Sequence, residues 1–479
     1  MKFILSVFLT VCFSLCIRAN NISVSNVTLA GQNTAAGLNN ANNFSLVQFN
    51  LSWENSHRVS FGPTNWDAAW IFIKYKVAGT TAWQHARLNN IGHTAPIGST
   101  IDAGLQTPGT AFNATTNPGI GAFIYRSTSG TGTFTANSTQ LRWNYGANGL
   151  LDNSVVEIQV YAVEMIYVPT AAFNAGGGGG TSAFTSTTIN TANPTTVASG
   201  IGALGGMGGG YPTGQVALTS STFPNGFSAF YTMKYEISQQ QYVDFLNNLP
   251  SSQSASRFPA STGSRHGIVL NAGFYSTALP FVACNFLSWA DFAAYLDWSG
   301  LRPMTELEFE KAARGTIAPV VGEFAWGTSI IFSATGLVNS SSTNETAANI
   351  GANCNASALI SGPVRVGMFA GINTTRVAAG ATYYGAMEFS GNLWERIITL
   401  STLNGRSYSG LHGDGLLSAT GEANISLWPD AAALGCGIRG GSWADNGGEA
   451  NFISSRSQSA LAYPVRYSNI GGRGVRSAL

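Results

Sequence analysis

The first part of the chain alternates between apolar and polar residues in several short stretches. Residues 47–53 place valine, phenylalanine, leucine and tryptophan at every second position, which is the period of a half-buried strand. Residues 68–77, 140–143 and 155–163 are similar runs, separated by glycine, asparagine, threonine and proline. Short strands with such turns between them predict an all-β sandwich over residues 20–162.

In the second part, apolar residues recur at spacings of three and four. Ser238, Ser288 and Thr305 each precede such a stretch, and Ser238 and Thr305 are followed three residues later by Gln or Glu, which completes a capping box. Gly-rich loops at residues 174–212 lack the pattern of a phosphate loop. The predicted fold class is therefore α+β, with the sandwich followed by a mixed domain of much irregular structure over residues 163–479.

The chain opens with a positive charge at Lys2 and an apolar run at residues 3–17. Small Ala19 then precedes two asparagines, so this layout predicts a secretory signal peptide over residues 1–19, cleaved near Ala19. The alternative is a buried N-terminal strand, but the residues that follow are polar and do not favour it. We expect a secreted or cell-surface protein that does not span the membrane, because no later apolar stretch is long enough to do so.

Charged residues make up only 9% of the chain, against roughly 25% in ordinary soluble domains. The 23 basic and 22 acidic residues leave a formal charge of +1, so nucleic acid is not expected as a partner. Glycine is abundant, with 57 residues, and a weakly charged surface has little long-range self-repulsion. This composition favours self-association or contact with other surface proteins or glycans.

Beyond the predicted signal peptide the cysteines are Cys284, Cys354 and Cys436. In an exported chain two of them can pair, and Cys354 with Cys436 is the predicted pair if a bridge forms, because both lie in irregular sequence. Cys284 precedes a predicted helix in an apolar run and is predicted to be a buried free thiol. The sequence leaves open whether there is one bridge or none.

A series of segments keeps a fixed order along the second part of the chain. They are EMIYVPTAAF (164–173), KYEISQQQYVDFLN (234–247), PFVACNFLSWADFAAYLDWSGLRPMTELEFEKAARG (280–315), FAWG (324–327), GAMEFSGNLWE (385–395), RGGSW (439–443) and GGRGVR (471–476). Together they resemble the motifs of the formylglycine-generating-enzyme (sulfatase-modifying factor) family. The resemblance covers residues 163–479 and implies a C-type-lectin-like core of strands and helices with long loops.

The resemblance fails at the residues on which the family's oxidase depends. That enzyme binds copper with two cysteines in the pattern GGS[FWY]xCxxxxC. In this chain Ser442 and Trp443 match the pattern, but Asp445 and Ala450 occupy the two cysteine positions. A carboxylate does not replace a soft thiolate for Cu(I), and alanine offers no ligand. The resemblance therefore implies no copper and no formylglycine-type oxidase activity.

The resemblance also implies a structural calcium ion at the GNLWE segment. Asn392, Leu393 and Glu395 match the family's ligand positions, and hard oxygen ligands suit Ca²⁺. In the alternative, Asn392 caps a turn and Glu395 pairs with an arginine such as Arg439. Asn349, followed by an isoleucine, could begin a second site by the same analogy.

Related lectin-like proteins, including variable proteins of diversity-generating retroelements, present ligand-contact side chains in the segment after RGGSW. The resemblance implies a ligand surface of Trp443, Asp445, Asn446, Asn451, Arg456, Tyr463 and Tyr467. Aromatic, amide and guanidinium groups suit contact with sugars or peptides. In the alternative, Trp443 and Arg456 belong to the core and the ion-pair network, and for these two residues we favour it. Glu306, Glu308, Glu310 and Arg314 are likewise predicted to be structural charges.

These observations predict an exported, non-catalytic structural or binding protein of the cell surface or extracellular matrix that self-assembles. The alternatives are an oxidoreductase of the formylglycine-generating-enzyme family and a lectin-like module that binds glycan or protein.

Overall fold

A computed structural model describes residues 22–193, 222–371 and 374–478. The predicted signal peptide and the Gly-rich segment 202–210 lie outside these residues. Strands predominate, with a smaller share of helix, which agrees with a mixed α+β class. The strands are β1 Ser23–Asn33, β2 Phe44–Arg58, β3 Asp67–Val77, β4 Gln84–His85, β5 Ser99–Leu105, β6 Gly119–Arg126, β7 Gly130–Trp143, β8 Val156–Val168, β9 Phe173–Ala175, β10 Thr187–Ile189, β11 Phe230–Met233, β12 Ile268–Asn271, β13 Phe274–Thr277, β14 Arg302–Pro303, β15 Leu337–Val338, β16 Thr346–Ala347, β17 Trp394–Ile398, β18 Cys436–Arg439, β19 Ile470–Gly471 and β20 Gly474–Ser477. The helices are α1 Gln239–Asn248, α2 Ser251–Arg257, α3 Trp289–Trp298, α4 Glu306–Arg314 and α5 Leu403–Arg406, with a 3₁₀ turn at Glu449–Asn451.

An eight-stranded sheet joins the two parts of the chain. Its order is β14-β20-β11-β8-β3-β6-β5, with β4 paired to β3. β8 pairs antiparallel with β3 along its length and with β11 at its C-terminal end. The predicted domain boundary at residues 162/163 falls inside β8, so one sheet is common to both parts.

A three-stranded sheet, β1-β2-β7, packs on one face of the larger sheet. The predicted alternation in β2 is confirmed, because Val47, Phe49, Leu51 and Trp53 are all buried. They share a core cluster with side chains of β3, β6 and β8. A separate sandwich domain of residues 20–162 stays a prediction.

Helices α1 and α3 pack on the opposite face of the large sheet. Trp70 of β3 donates its indole N–H to the carbonyl of Ser299, which follows α3, at 2.8 Å. The predicted caps are confirmed: Ser238, Ser288 and Thr305 each form a capping box in which side chain and backbone bond reciprocally. These helices are therefore fixed at both the cap and the apolar face.

The charges on α4 are structural, as predicted. Glu306 accepts from Arg439 at 2.8 Å and from Arg456 at 2.6 Å, and all three side chains are buried. Glu308 pairs with Arg302 and Glu310 with Arg314. Removing one partner of such a buried pair typically costs about 3–5 kcal/mol, because a charge is left without compensation.

Cys284, Cys354 and Cys436 are all free thiols, and all three are buried. The prediction for Cys284 is confirmed, whereas the predicted pairing of Cys354 with Cys436 is wrong. These two residues lie in different core clusters, so no bridge joins them. Burial raises the pKa of Cys354 to about 12 and the pKa of the other two thiols well above their ordinary range.

Candidate functional site

The candidate site is the loop that follows β18. β17 pairs antiparallel with β18 and parallel with β19, which brings the RGGSW segment and the 459–469 loop together. Gly440 and Gly441 follow β18 with φ of 93° and 69°. A Cβ on Gly441 would lie 2.2 Å from the amide nitrogen of Asn451, so only glycine allows this close approach.

Asp445, at the first of the two cysteine positions, is used to build the loop. One of its carboxylate oxygens accepts from the Ser442 backbone N–H at 2.8 Å and from the Ser442 hydroxyl at 2.6 Å. Asn469 donates its amide to the same hydroxyl oxygen at 3.3 Å. The carboxylate therefore closes a turn, and this contact fixes the loop next to the segment that leads to β19.

Ala450, at the second cysteine position, lies against apolar side chains. It packs on a small cluster formed by Trp394, Ile438 and Ile470. A methyl group in such a place contributes packing and no ligand. The described thiols are those of the buried Cys284, Cys354 and Cys436, and each lies in a segment other than 440–452.

Five of the predicted ligand residues are exposed or partly exposed in the loop after β18 and the loop before β19, and we call them the aromatic surface: Trp443, Asp445, Asn446, Tyr463 and Tyr467. The rings of Tyr463 and Tyr467 meet edge to face with centroids 5.4 Å apart, and Tyr467 is 40% exposed. The indole N–H of Trp443 donates to the Ser468 carbonyl at 3.4 Å, and its partly buried ring packs on a core cluster, in line with the alternative favoured from its sequence. Burial raises the pKa of Tyr463, and the charges of Tyr467 and Asp445 add to that shift.

The other two predicted ligand residues are buried. Arg456 holds Glu306 through two nitrogens, and its guanidinium lies 3.8 Å from the centroid of the Phe184 ring. The amide of Asn451 donates to the Gly440 carbonyl at 3.3 Å. Arg456 thus belongs to the ion-pair network, the alternative favoured from its sequence, and neither residue presents its side chain to solvent.

Sequence reasoning missed two apolar neighbours of the aromatic surface. Leu461 and Val465 lie in the same loop as Tyr463 and are exposed. The sequence did contain a signal for them, because apolar residues in a predicted surface loop indicate a contact site: such side chains are costly to leave in water.

Two of the predicted calcium ligands, Asn392 and Glu395, are already engaged by protein donors. The carbonyl oxygen of the Asn392 side chain accepts from Val364 at 2.8 Å and from Asn355 at 3.3 Å. Glu395 accepts from the Arg473 guanidinium at 2.7 and 2.8 Å. As arranged, these oxygens do not fit a calcium ion, which would have to displace the donors. Calcium at Asn392, Leu393 and Glu395 stays a prediction.

Glu395 pairs with an arginine, as the alternative to calcium held, but the arginine is Arg473 and not Arg439. Glu395 and Arg439 are opposite each other in the β17–β18 ladder, but the carboxylate binds Arg473 and the Arg439 guanidinium turns to Glu306. At the second suggested position, Asn349 bonds to backbone groups of the 333–335 segment. Within the three described ranges, no three His, Cys, Asp or Glu side chains are grouped so as to hold a metal ion.

A buried acidic cluster beside these residues was also missed. Glu236, Glu388 and Glu395 lie around Arg473. Glu236 accepts from the backbone N–H of Leu393 at 2.9 Å and also from the amide of Asn392. Burial raises the pKa of Glu388 to about 7, and one of its oxygens has no partner among the described residues. Glu388 and Glu395 share one motif, but Glu236 and Arg473 come from distant segments, so no local sequence signal indicated this cluster.

The geometry describes a loop in which Asp445 and Ala450 take the two positions that the resemblance assigns to thiols. The family model of the sulfatase-modifying factor enzyme 1-like domain matches residues 207–478, which is more than half of the chain. The chain belongs to the sulfatase-modifying factor enzyme 1-like family. No curated protein matches it. Among solved structures it is similar to Treponema denticola variable protein 1, with 13% identity over 66% of this chain and 96% of that chain, and a TM-score of 0.33.

In the described parts of the chain, no helix is both long and apolar enough to cross a bilayer.

Proposed function

We propose that this chain is an exported, non-catalytic member of its family that binds a protein partner through the aromatic surface. In this proposal residues 20–162 form a β-sandwich that carries the binding domain at the cell surface or in the extracellular matrix. The observation that carries it is the replacement of the thiol pair by Asp445, which closes a turn, and Ala450, which packs in an apolar cluster.

The chemistry of the aromatic surface favours a protein partner. Tyr467 exposes an amphipathic ring at low conformational cost, and exposed Leu461 and Val465 extend the apolar area. Asp445 is already bonded to Ser442, so the surface offers little free charge to a partner. Buried aromatic anchors with few charged groups are typical of the centre of protein interfaces.

The absence of oxidase activity is tested by copper and thiol measurements on the mature chain. We expect no stoichiometric copper and no loss of thiol from a cysteine-containing peptide, because the donor positions hold a carboxylate and a methyl group. The double variant Asp445→Cys/Ala450→Cys supplies two thiols, and Asp445→Ser/Ala450→Ser is its matched control without them. Stoichiometric copper with thiol turnover in the unaltered chain would contradict the proposal.

Binding is tested by panning a random peptide phage library against the immobilised mature chain. We expect enriched peptides rich in apolar and aromatic residues, whose affinity falls at least about tenfold with Tyr467→Ala, a loss of about 1.4 kcal/mol. Phe61→Ala is the matched control, because Phe61 is an aromatic residue 89% exposed on another loop. Peptides that bind the Tyr467→Ala chain as tightly as the unaltered chain would place binding elsewhere.

Self-association is the second candidate function, and a specific feature favours it. The hairpin of β12 and β13 exposes Val269, Leu270 and Phe274, with Phe274 72% exposed. Adjacent exposed apolar side chains on a β-hairpin favour contact with another molecule. The small net charge of +1 leaves little repulsion between copies of the chain.

A further inference from the structure

A polar cavity of about 330 Å³ lies between the two parts of the chain, formed by elements other than those of the aromatic surface. One wall comes from β4 and the segment after it, and another comes from the loop of residues 106–118 between β5 and β6. The third wall is the loop around Asp414, which belongs to the second part of the chain. Small-molecule sites occur preferentially at such boundaries between structural units.

The loop that carries Asp414 is held rigidly in place. Asp297, on α3, accepts from the Asp414 backbone N–H through its carboxylate and from the Gly415 N–H through its carbonyl, both at 3.0 Å. The buried ammonium of Lys74 donates to the Gly415 carbonyl at 2.8 Å. The cavity is therefore formed before any ligand enters, which lowers the entropic cost of binding.

His85 is a neutral, buried part of the cavity wall. The side chain is only 4% exposed, and its Nε2 lies 2.6 Å from the Ile120 carbonyl oxygen. Since a carbonyl can only accept, Nε2 carries the proton and donates, and Nδ1 is an acceptor. Burial, together with the charge of Lys74, lowers the pKa of His85 well below its ordinary value and keeps the ring neutral. Nδ1 is packed against Gly415 and closed to solvent, so it does not reach into the cavity.

Polar groups elsewhere on the wall are available to a ligand. Gln84 uses its side-chain carbonyl to accept from the Tyr75 hydroxyl at 2.7 Å, which leaves its NH₂ group available. The side chains of Gln106 and Thr116 line the cavity and make no hydrogen bond within the described parts of the chain. Amide and hydroxyl groups both donate and accept, so the wall suits a ligand that does the same.

The charges on the wall balance each other. Arg87 and Asp414 both line the cavity. Burial raises the pKa of Asp414, and the positive charges of Lys74 and Arg87 oppose that shift. With one cation and one anion at the cavity, neither an anionic nor a cationic ligand gains a net electrostatic advantage. Leu416 and Pro118 provide an apolar patch against which the C–H face of a ring can pack.

We propose that this cavity binds a neutral sugar, one or two pyranose rings at the end of a glycan. Ring hydroxyls would exchange hydrogen bonds with Gln84, Gln106 and Thr116, while the C–H face lies on Leu416. The volume is near the low end of the roughly 300–1,000 Å³ found for small-molecule sites, which limits the occupant to a small ligand. This site is independent of the proposed protein contact at the aromatic surface.

The test is saturation-transfer-difference NMR on the mature chain with a panel of neutral mono- and disaccharides, and with sialic acid and glucosamine as charged probes. We expect at least one neutral sugar to receive saturation and the charged probes to receive none. Gln106→Leu and Thr116→Val should each weaken that sugar's affinity by at least about tenfold, a loss of about 1.4 kcal/mol. Both residues lie outside the buried core, so the variants should fold.

Thr81→Val is the matched control, because Thr81 is an exposed threonine on the segment before β4 that does not line the cavity. It should bind the sugar as the unaltered chain does. The proposal is overturned if no neutral sugar in the panel binds, if only a charged probe binds, or if Gln106→Leu and Thr116→Val both leave the affinity unchanged. None of these results bears on whether Tyr467→Ala weakens peptide binding. The sugar proposal and the proposed protein contact can therefore fail independently of each other.

Discussion

At the residue scale, buried carboxylates distinguish this chain from an ordinary weakly charged protein. Glu388 lies beside Glu236, Glu395 and Arg473, and one of its oxygens accepts from the Gly367 N–H at 2.8 Å. Burial raises its pKa from 4.5 to about 7, because the charged form loses hydration that the cluster does not replace. The folded chain therefore holds this proton more tightly than the unfolded chain does.

The pH dependence of stability follows from that shift. A raised carboxyl pKa contributes stability that is complete below about pH 4 and is lost as the pH rises through about 7. Glu388→Gln removes this contribution, so the free energy of unfolding should fall less steeply between about pH 5 and pH 8 than in the unaltered chain. Urea unfolding across that range measures the slope. Glu157→Gln, at an exposed carboxylate paired with Lys76, is the control and should leave the slope unchanged.

A slope identical in the Glu388→Gln chain and the unaltered chain would mean that Glu388 does not titrate in this range. Burial likewise raises the pKa of Glu164 to about 8, so part of the slope should remain in the variant.

At the element scale, the β12–β13 hairpin is the feature to test for self-association. Phe274→Ser places a hydroxyl where an exposed ring stands, and this change should abolish ordered polymers or reduce the apparent mass of the mature chain. Light scattering and negative-stain electron microscopy measure both quantities. Phe61→Ser makes the same change at an exposed ring in the loop after β2 and should have no effect. Polymers that survive Phe274→Ser would exclude the hairpin as the contact.

The elements that the sequence predicted well are those with local signals. The alternation in β2 and the caps at Ser238, Ser288 and Thr305 depend on residues a few positions apart. The partner of Glu395 could not be predicted in the same way, because Arg473 reaches it from a segment far along the chain. The Cys354–Cys436 pairing was wrong for a related reason, since sequence composition does not reveal which core cluster a residue joins.

The candidate site was predicted in part. The motif placed Asp445 and Ala450 in one loop. The turn that Asp445 closes on Ser442 could not be predicted from the motif and is seen only in the structure. The sequence places Arg456 in a loop, but its guanidinium is buried because it pairs with Glu306 of α4. The polar cavity at His85 had no sequence signal, because its walls come from segments that are hundreds of residues apart.

At the scale of the whole molecule, β8 connects the two parts of the chain. Because β3 and β11 flank β8 in one sheet, a break within β8 should be more damaging than a break beside it. Co-expressed fragments split between residues 162 and 163 should fail to form a soluble complex. Fragments split between residues 153 and 154, in the loop before β8, keep every strand intact and should associate.

Co-purification and the cooperativity of thermal unfolding measure this difference. If both pairs of fragments behaved alike, the sheet would not depend on an unbroken β8, and residues 20–162 would be the independent sandwich that their alternation predicts.

The position of β20 has a consequence for the rate at which the protein folds. β20 lies between β11 and β14, and both of these neighbours come much earlier in the chain. β20 can therefore join the sheet only after segments that are far apart in the chain have met. Contacts of such high contact order make folding slow. During that interval the edges of β11 and β14 are unpaired, so the chain is most open to aggregation or to capture by a chaperone before it first reaches its native state.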